Sequence, residues 1–296
     1  MLLTSSPSLE RRRAEVELDD TQTVFAPLCL DALSARIAEQ AGFEAVYVSG
    51  GALGYAHAVS EAMLELSELA DIVRHIRARS GVEVIVDAGV GFGDAVHMAR
   101  TVQILESAGA VAIEIEDQVA PKRVSHHRGI EHLVSCEEMV AKIDVAVTSR
   151  REAGTQIIAR TGAVKNESLD GALERCVRYE TAGADMILIM ADTDEEWGRI
   201  REALNVPLVT FAPLSGRSAT EWQVRGVSLV FDPFTTQVAH VINMQETYRR
   251  FFAGEQQALT AGELFATYNK LDELAGFETF YNIEDNTTLS PSSFDH

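Results

Sequence analysis

With 296 residues, 46% of them apolar and 24% charged, the chain has the make-up of a globular protein long enough for one large α/β domain. Its net charge of -20 argues against nucleic acid and anionic membrane surfaces as partners, because a polyanion needs a basic footprint and none is visible. Cys29, Cys136 and Cys176 are too few and too scattered for a disulfide framework or a zinc site, and no run approaches the roughly 18 apolar residues of a membrane span, so a cytoplasmic protein is expected.

In chain order, residues 1–22 have charges before any continuous apolar core. They read as a flexible arm and not as a secretory signal. Eight short apolar runs follow: VFAPL at 24–28, FEAVYVSG at 43–50, VEVIVD at 82–87, AVAIEIED at 110–117, TQIIART at 155–161, ADMILIM at 184–190, VPLVTFAP at 206–213 and VSLVFDP at 227–233. They are apolar on both faces, as buried parallel strands are. Six follow a helix-like segment that ends in glycine, at Gly42, Gly81, Gly109, Gly154, Gly183 and Gly226, where a left-handed residue would close the helix. Helices are expected over 31–40, 67–79, 137–150, 168–180 and 194–204, and between the third and fourth strands, where Ala95, Met98, Val102 and Leu105 recur at spacings of three and four.

Eight alternating units predict a (β/α)8 TIM-type barrel over 23–254 with extra C-terminal helices. An open doubly wound sheet is the runner-up, but no GxGxxG follows the first strand. GVGFG at 89–93 reads as a flexible turn. Beyond the eighth strand, a helix is expected to about Phe252 and another over AGELFATYNKLDELAG, and the end from Asn282 reads as a mobile polar tail. The extension over 255–296 is free to pack on a second subunit.

In such a barrel, chemistry collects at the C-terminal strand ends. Those ends are Tyr47-Val48-Ser49-Gly50-Gly51, Asp87, Glu116-Asp117, Arg160-Thr161, Met190, Phe211 and Asp232. The bare amides of Gly50-Gly51 suit an anionic oxygen, Arg160 suits a carboxylate, and Asp87 with Glu116 could share one Mg2+ completed by waters. Each also has a plainer reading: Asp87 and Asp117 as caps, Arg160 as counter-charge to Glu116, and Gly50-Gly51 as a turn. Together at one rim they favour a site. A basic loop, Lys122 to Gly129, is long enough to fold over it. Cys29, Trp197 and Trp222 read as packing residues.

The ordered combination DALSARIAEQAGFEAVYVSGG, the Asp-ended third strand followed by GFG, IEDQVAPKR with His126 four residues after Lys122, EEMVAKI and IIART resembles the isocitrate lyase and phosphoenolpyruvate mutase superfamily. Its methylisocitrate lyase and dimethylmalate lyase branch is the most similar. The resemblance implies a (β/α)8 barrel in a helix-swapped homotetramer or homodimer that uses Mg2+ and an enolate to cleave a carbon–carbon bond in a small 2-keto or 2-hydroxy acid. It implies Asp87 as direct metal ligand and Glu116 as ligand through water. Ser49, Gly50, Gly51 and Arg160 would hold substrate carboxylates. Tyr47, Lys122, Ser125 and His126 would be the catalytic side chains, the last three on a gate loop.

Departures qualify this picture. Gly89 stands where a second metal acid is usual, and another acid is expected near Ser60 or Glu61. Val124 replaces the gate cysteine, which leaves proton transfer to His126, to Ser125 through water, or to no group. Glu114 replaces a histidine and Gly162 an acid, while Met190 and Phe211 stand near a usual glutamate and asparagine. A decarboxylase, a phosphonopyruvate-type mutase or hydrolase, and a divergent barrel recruited to a less polar substrate or to weak binding are the alternatives.

Overall fold

The computed structural model describes residues 22–288, so the arm expected over 1–22 lies outside the described residues save for Gln22. Eight strands form one parallel sheet: β1 (Val24–Pro27), β2 (Ala45–Val48), β3 (Glu83–Asp87), β4 (Ala112–Glu116), β5 (Gln156–Arg160), β6 (Met186–Leu188), β7 (Leu208–Phe211) and β8 (Val227–Asp232). Each pairs with its sequence neighbours, and β8 returns to β1 in the register Val24 to Leu229. Between β1 and β2, Leu28 bridges Tyr47 and Cys29 N–H bonds Tyr47 O at 3.1 Å, which nearly closes the ring. The fold is the expected (β/α)8 barrel with extra C-terminal helices.

The period-2 alternation of a strand divides its side chains between two cores. Ala45, Tyr47, Ile85, Ala112, Ile158, Leu188, Val209 and Phe231 fill the inside of the ring, with the Tyr47 and Phe231 rings stacked 4.1 Å apart. Val46, Val84, Ile113, Ile157 and Ile187 point outward against the helices. Continuing the inward parity to the strand ends puts Asp87, Glu114, Glu116 and Arg160 inside the mouth of the barrel.

The helices between strands fall within one or two residues of expectation. In Ala95–Ala108, Met98, Val102 and Leu105 are fully buried, each contributing about 1.5–3 kcal/mol of burial, and the Asp94 carboxylate accepts the Val96 and His97 amides at the N-cap. Gly42, Gly109, Gly183 and Gly226 have positive φ as expected, but Gly81 and Gly154 are not among the positive-φ glycines. Their helices stop earlier, at Arg79 and Ser149, on extended caps at Ser80 and Arg150, so both glycines fall in the connecting turn.

The described chain divides into two compact units between Gln237 and Val238, inside the helix Thr235–Ala253. In the second unit the segment expected as one helix is two, Ala261–Tyr268 and Leu271–Ala275, parted at Asn269-Lys270. The polar reading from Asn282 is corrected as far as Thr287: Glu278–Thr287 is helical, with Phe280 and Ile283 on its apolar side and Tyr281 OH donating to Asp272 at 2.8 Å. Residues 289–296 lie outside the described residues. Among the described residues no helix is long and apolar enough to cross a membrane.

Candidate active site

Four charged side chains on β3, β4 and β5 meet inside the barrel mouth because their strands are adjacent and in register, with Asp87 opposite Glu114 and Glu116 opposite Arg160. Asp87 Oδ1 accepts Gly89 N–H at 2.8 Å and Oδ2 accepts Gly50 N–H at 3.1 Å. Glu114 is fully buried and accepts from Tyr47 OH at 2.6 Å and from Arg160 Nη1 at 3.0 Å. The same guanidinium nitrogen is 3.7 Å from Glu116 Oε2, and its carbon is 4.9 Å from the centre of the Phe211 ring.

The loop after β4 folds back over these groups. Its two ends pair, Val119 N–H to His132 O and Val134 N–H to Asp117 O, both at 2.8 Å, and Val124–Arg128 forms a single 3-10 turn. Lys122 Nζ thereby reaches Glu116 Oε1 at 2.5 Å and Glu61 Oε1 at 2.6 Å, while His126 Nε2 lies 2.6 Å from that same Glu61 oxygen. His127 Nε2 pairs with Ser60 Oγ at 2.9 Å and anchors the turn to the loop that carries Glu61.

Burial and neighbouring charge set the protonation states in opposite directions. Burial, and then the charge of Asp87, push Glu114 up to about 8, so it is largely a neutral acid at neutral pH. Burial, and then Glu61, also raise Asp87. Glu61 is itself buried, but His126 and Lys122 outweigh that and hold it down at about 2. At Glu116 burial is likewise overcome by Lys122 and Arg160, and the carboxyl is lowered. Burial opposes the charge on Lys122 and on His126, yet the carboxylates facing them raise both.

A family model described as phosphoenolpyruvate phosphomutase matches residues 16–252. The chain belongs to the phosphoenolpyruvate mutase family. It is 34% identical over 280 residues to 2,3-dimethylmalate lyase of Eubacterium barkeri, covering 91% of this chain and 95% of that protein. It is 36% identical over 269 residues to 2-methylisocitrate lyase of Aeropyrum pernix, covering 89% of this chain and 86% of that protein. A solved phosphonopyruvate hydrolase in complex with oxalate and Mg2+ superposes with a TM-score of 0.78 at 29% identity, over 94% of this chain and 99% of that one. The expected superfamily is thus the correct one, and its curated relatives include carbon–carbon lyases.

The donors expected in a phosphoenolpyruvate mutase relative are carboxylate oxygens, the chemistry that suits Mg2+. Glu116 Oε1 is buried and takes no well-oriented hydrogen bond, although the Lys122 ammonium is 2.5 Å away as an ion-pair partner. A Cβ on Gly50 would lie 3.3 Å from both Asp87 Oδ2 and Glu61 Oε2, so these two carboxylates border one small space. Among the described residues no three acidic, histidine or cysteine groups form a ready-made ligand cluster, which is compatible with an ion that takes one or two carboxylates and keeps its waters. The residues fit Mg2+, which Asp87 and Glu116 could hold with Glu61 beside them.

Sequence reasoning left Glu61 out of the site set, weighing only that an acid falls near Ser60 or Glu61. It sits in the short 3-10 turn Glu61–Met63 between β2 and β3, where no periodicity fixes register, and the structure turns its carboxylate inward at 10% side-chain exposure. Tyr47 is fully buried and bonded to Glu114, and Gly50 N–H is engaged by Asp87. Ser49 Oγ accepts Ala52 N–H at 3.3 Å, and Gly51 follows in the same turn of helix. Lys122 and His126 join the acids, Ser125 is half-buried on the same turn, and Val124 is 58% exposed. Asp117 has the plainer role, with Thr161 OH, Tyr179 OH and Gly162 N–H all donating to it. Cys29 is buried, and Trp197 and Trp222 pack edge to face at 5.8 Å.

Proposed function

We propose that this protein is a Mg2+-dependent lyase that cleaves a carbon–carbon bond in a small 2-hydroxy or 2-keto acid through an enolate. The observation that carries the reading is the convergence of Glu116 and Glu61 on Lys122 at the C-terminal mouth of the barrel, with Asp87 bordering the same space as Glu61. Mg2+, when bound, supplies Lewis-acid stabilisation of an enolate oxygen. Asp87 and Glu116 would hold it, and the Ser49-Gly50-Gly51 turn, whose Gly50 N–H is given to Asp87, would receive the substrate carboxylate. Arg160, fixed by Glu114 and Phe211, receives the other end of the substrate. Tyr47 holds Glu114 in place from within the barrel.

Valine cannot move a proton, and Val124 faces solvent in any case. His126 Nε2, 2.6 Å from Glu61, whose contact raises the His126 pKa, is the group placed to move a proton, with Lys122 Nζ beside it and Ser125 adjoining through water. The loop from Lys122 to His126 acts as the lid that excludes water. The second unit exposes Val238, Ile242, Phe251, Phe252 and Phe265, an apolar set that supports assembly into a homodimer or homotetramer, and a cytoplasmic location accords with three free cysteines.

The test is proton and phosphorus NMR of the purified protein with Mg2+ and oxaloacetate, methylisocitrate, dimethylmalate or phosphonopyruvate. Turnover of a carbon substrate that stops on adding EDTA is the expected result. Turnover of phosphonopyruvate alone would replace the lyase reading with the hydrolase one, which the likeness to a phosphonopyruvate hydrolase supports and which needs no gate cysteine.

A further inference from the structure

A cavity of about 460 Å3 opens beside the acid cluster. One end of it is polar and belongs to the site above, being formed by Gly50, Glu61, Asp87 and Lys122. The rest of its lining is mostly apolar and includes Leu64, Leu69, Val90 and Phe92, together with Asp94, His97 and Glu138. A charged end leading into apolar walls is the lining of a site for an amphipathic molecule. A ligand no larger than pyruvate would leave much of this volume unfilled. The volume is on the order of fifteen water-sized groups.

The wall on the β3 side is built at a conformational cost. Phe92 adopts φ 60°, the left-handed region that a bulky residue seldom enters, between Gly91 and Gly93, both also at positive φ. Two buried side chains hold this turn from behind: Lys142 Nζ donates to Val90 O at 2.6 Å, and Thr101 Oγ1 donates to Gly91 O at 3.0 Å. At Gly91 a Cβ would lie 2.1 Å from Met98 Cε and would have to displace that side chain. The two hydrogen bonds hold Val90 and Phe92 in the lining that Leu64 and Leu69 share.

We infer that this cavity receives an alkyl or aryl substituent of several carbons on the substrate, so that the protein acts on a branched or long-chain 2-hydroxy or 2-keto acid. The inference rests on the proposed function for the acid end of the molecule and adds the identity of the other end. Burial of each methylene against these walls strengthens binding about fourfold.

The experiment measures, by calorimetry in the presence of Mg2+, the affinity of the full-length protein for pyruvate, 2-oxobutanoate, 2-oxohexanoate and 2-oxooctanoate. The expected result is a Kd that falls stepwise with chain length, by roughly 250-fold from 2-oxobutanoate to 2-oxooctanoate. Leu64→Phe and, separately, Leu69→Phe should each cut the ratio of 2-oxooctanoate to pyruvate affinity by about tenfold or more. Because the readout is a ratio within one protein, a partly destabilised variant still answers, and either variant suffices. Binding of pyruvate with no gain, or a loss, on lengthening the chain would overturn this inference while leaving the proposed function standing. An unchanged ratio in both variants would overturn it too, since the gain would then arise elsewhere. Failure of every 2-oxo acid to bind would remove both.

Discussion

Tyr47 gives its phenolic hydrogen to Glu114 Oε2 across 2.6 Å, and through Glu114 Oε1 the same contact fixes Arg160 at 3.0 Å. Three polar side chains from β2, β4 and β5 thus satisfy one another inside a barrel whose neighbouring positions are apolar. Truncation of Glu114 to Ala leaves the buried Tyr47 hydroxyl without a partner and the Arg160 guanidinium with only Glu116 at 3.7 Å and the Phe211 ring, and a cost of about 3 kcal/mol is expected. Glu114→Gln keeps an acceptor and the shape, and mimics the neutral acid, so a loss of less than about 1.5 kcal/mol is expected. Urea denaturation of both variants checks this; equal losses would mean that neither the shape nor a remaining acceptor matters, only the carboxyl itself.

Asp87 receives two backbone amides but is itself raised in pKa by burial and by Glu61, so its carboxylate is held at some cost to the fold. Asp87→Ala is expected to abolish turnover while shifting stability by only about 1 kcal/mol. It is also expected to lose any thermal stabilisation that millimolar Mg2+ gives the wild type. Retained Mg2+ stabilisation in the variant would remove Asp87 from the metal site.

Glu61 is the only acid joining Lys122 and His126 of the gate loop to the β2 side of the barrel among the contacts described. With Glu61→Gln the ion pairs weaken and the loop opens more often, while the strands are untouched. Trypsin, which meets exposed Arg123 and Arg128 on this loop, should cut there roughly tenfold faster at an unchanged Tm. Equal cutting rates in wild type and variant would show that the loop is held by other contacts, such as His127 with Ser60.

Lys142 is fully buried and its pKa is lowered, burial being the largest cause, from an unfolded value near 10.5. Since the unfolded chain then binds more protons than the folded one, its contribution to stability is present above about pH 10.5 and is lost as pH falls through the folded pKa. Compared with Lys142→Met, the wild type should gain stability as pH rises toward about 10.5. Melting curves of the two proteins across that range check it, and parallel curves would mean that the ammonium is solvated.

Local pattern carried the barrel: eight apolar runs, the helix periods between them, and a rim of acids at the strand ends are properties of short segments, and the strand parity of Asp87, Glu116 and Arg160 follows from residues two and four before them. The same pattern showed a basic loop after β4 long enough to fold over that mouth, while the roles of Lys122 and His126 came from the family resemblance. Tertiary structure alone decided what those groups do to one another. Glu61 comes from a turn without period, so its inward aim depends on the packing of 50–63. Glu114 looks like one more polar residue in β4 until β2 and β5 close around it and burial pushes its carboxyl up to about 8. The cavity behind Asp87 is set by Phe92 in a left-handed turn that Lys142, fifty residues later, holds in place. Contacts between distant segments fix such features, and a sequence specifies those contacts only through the fold as a whole.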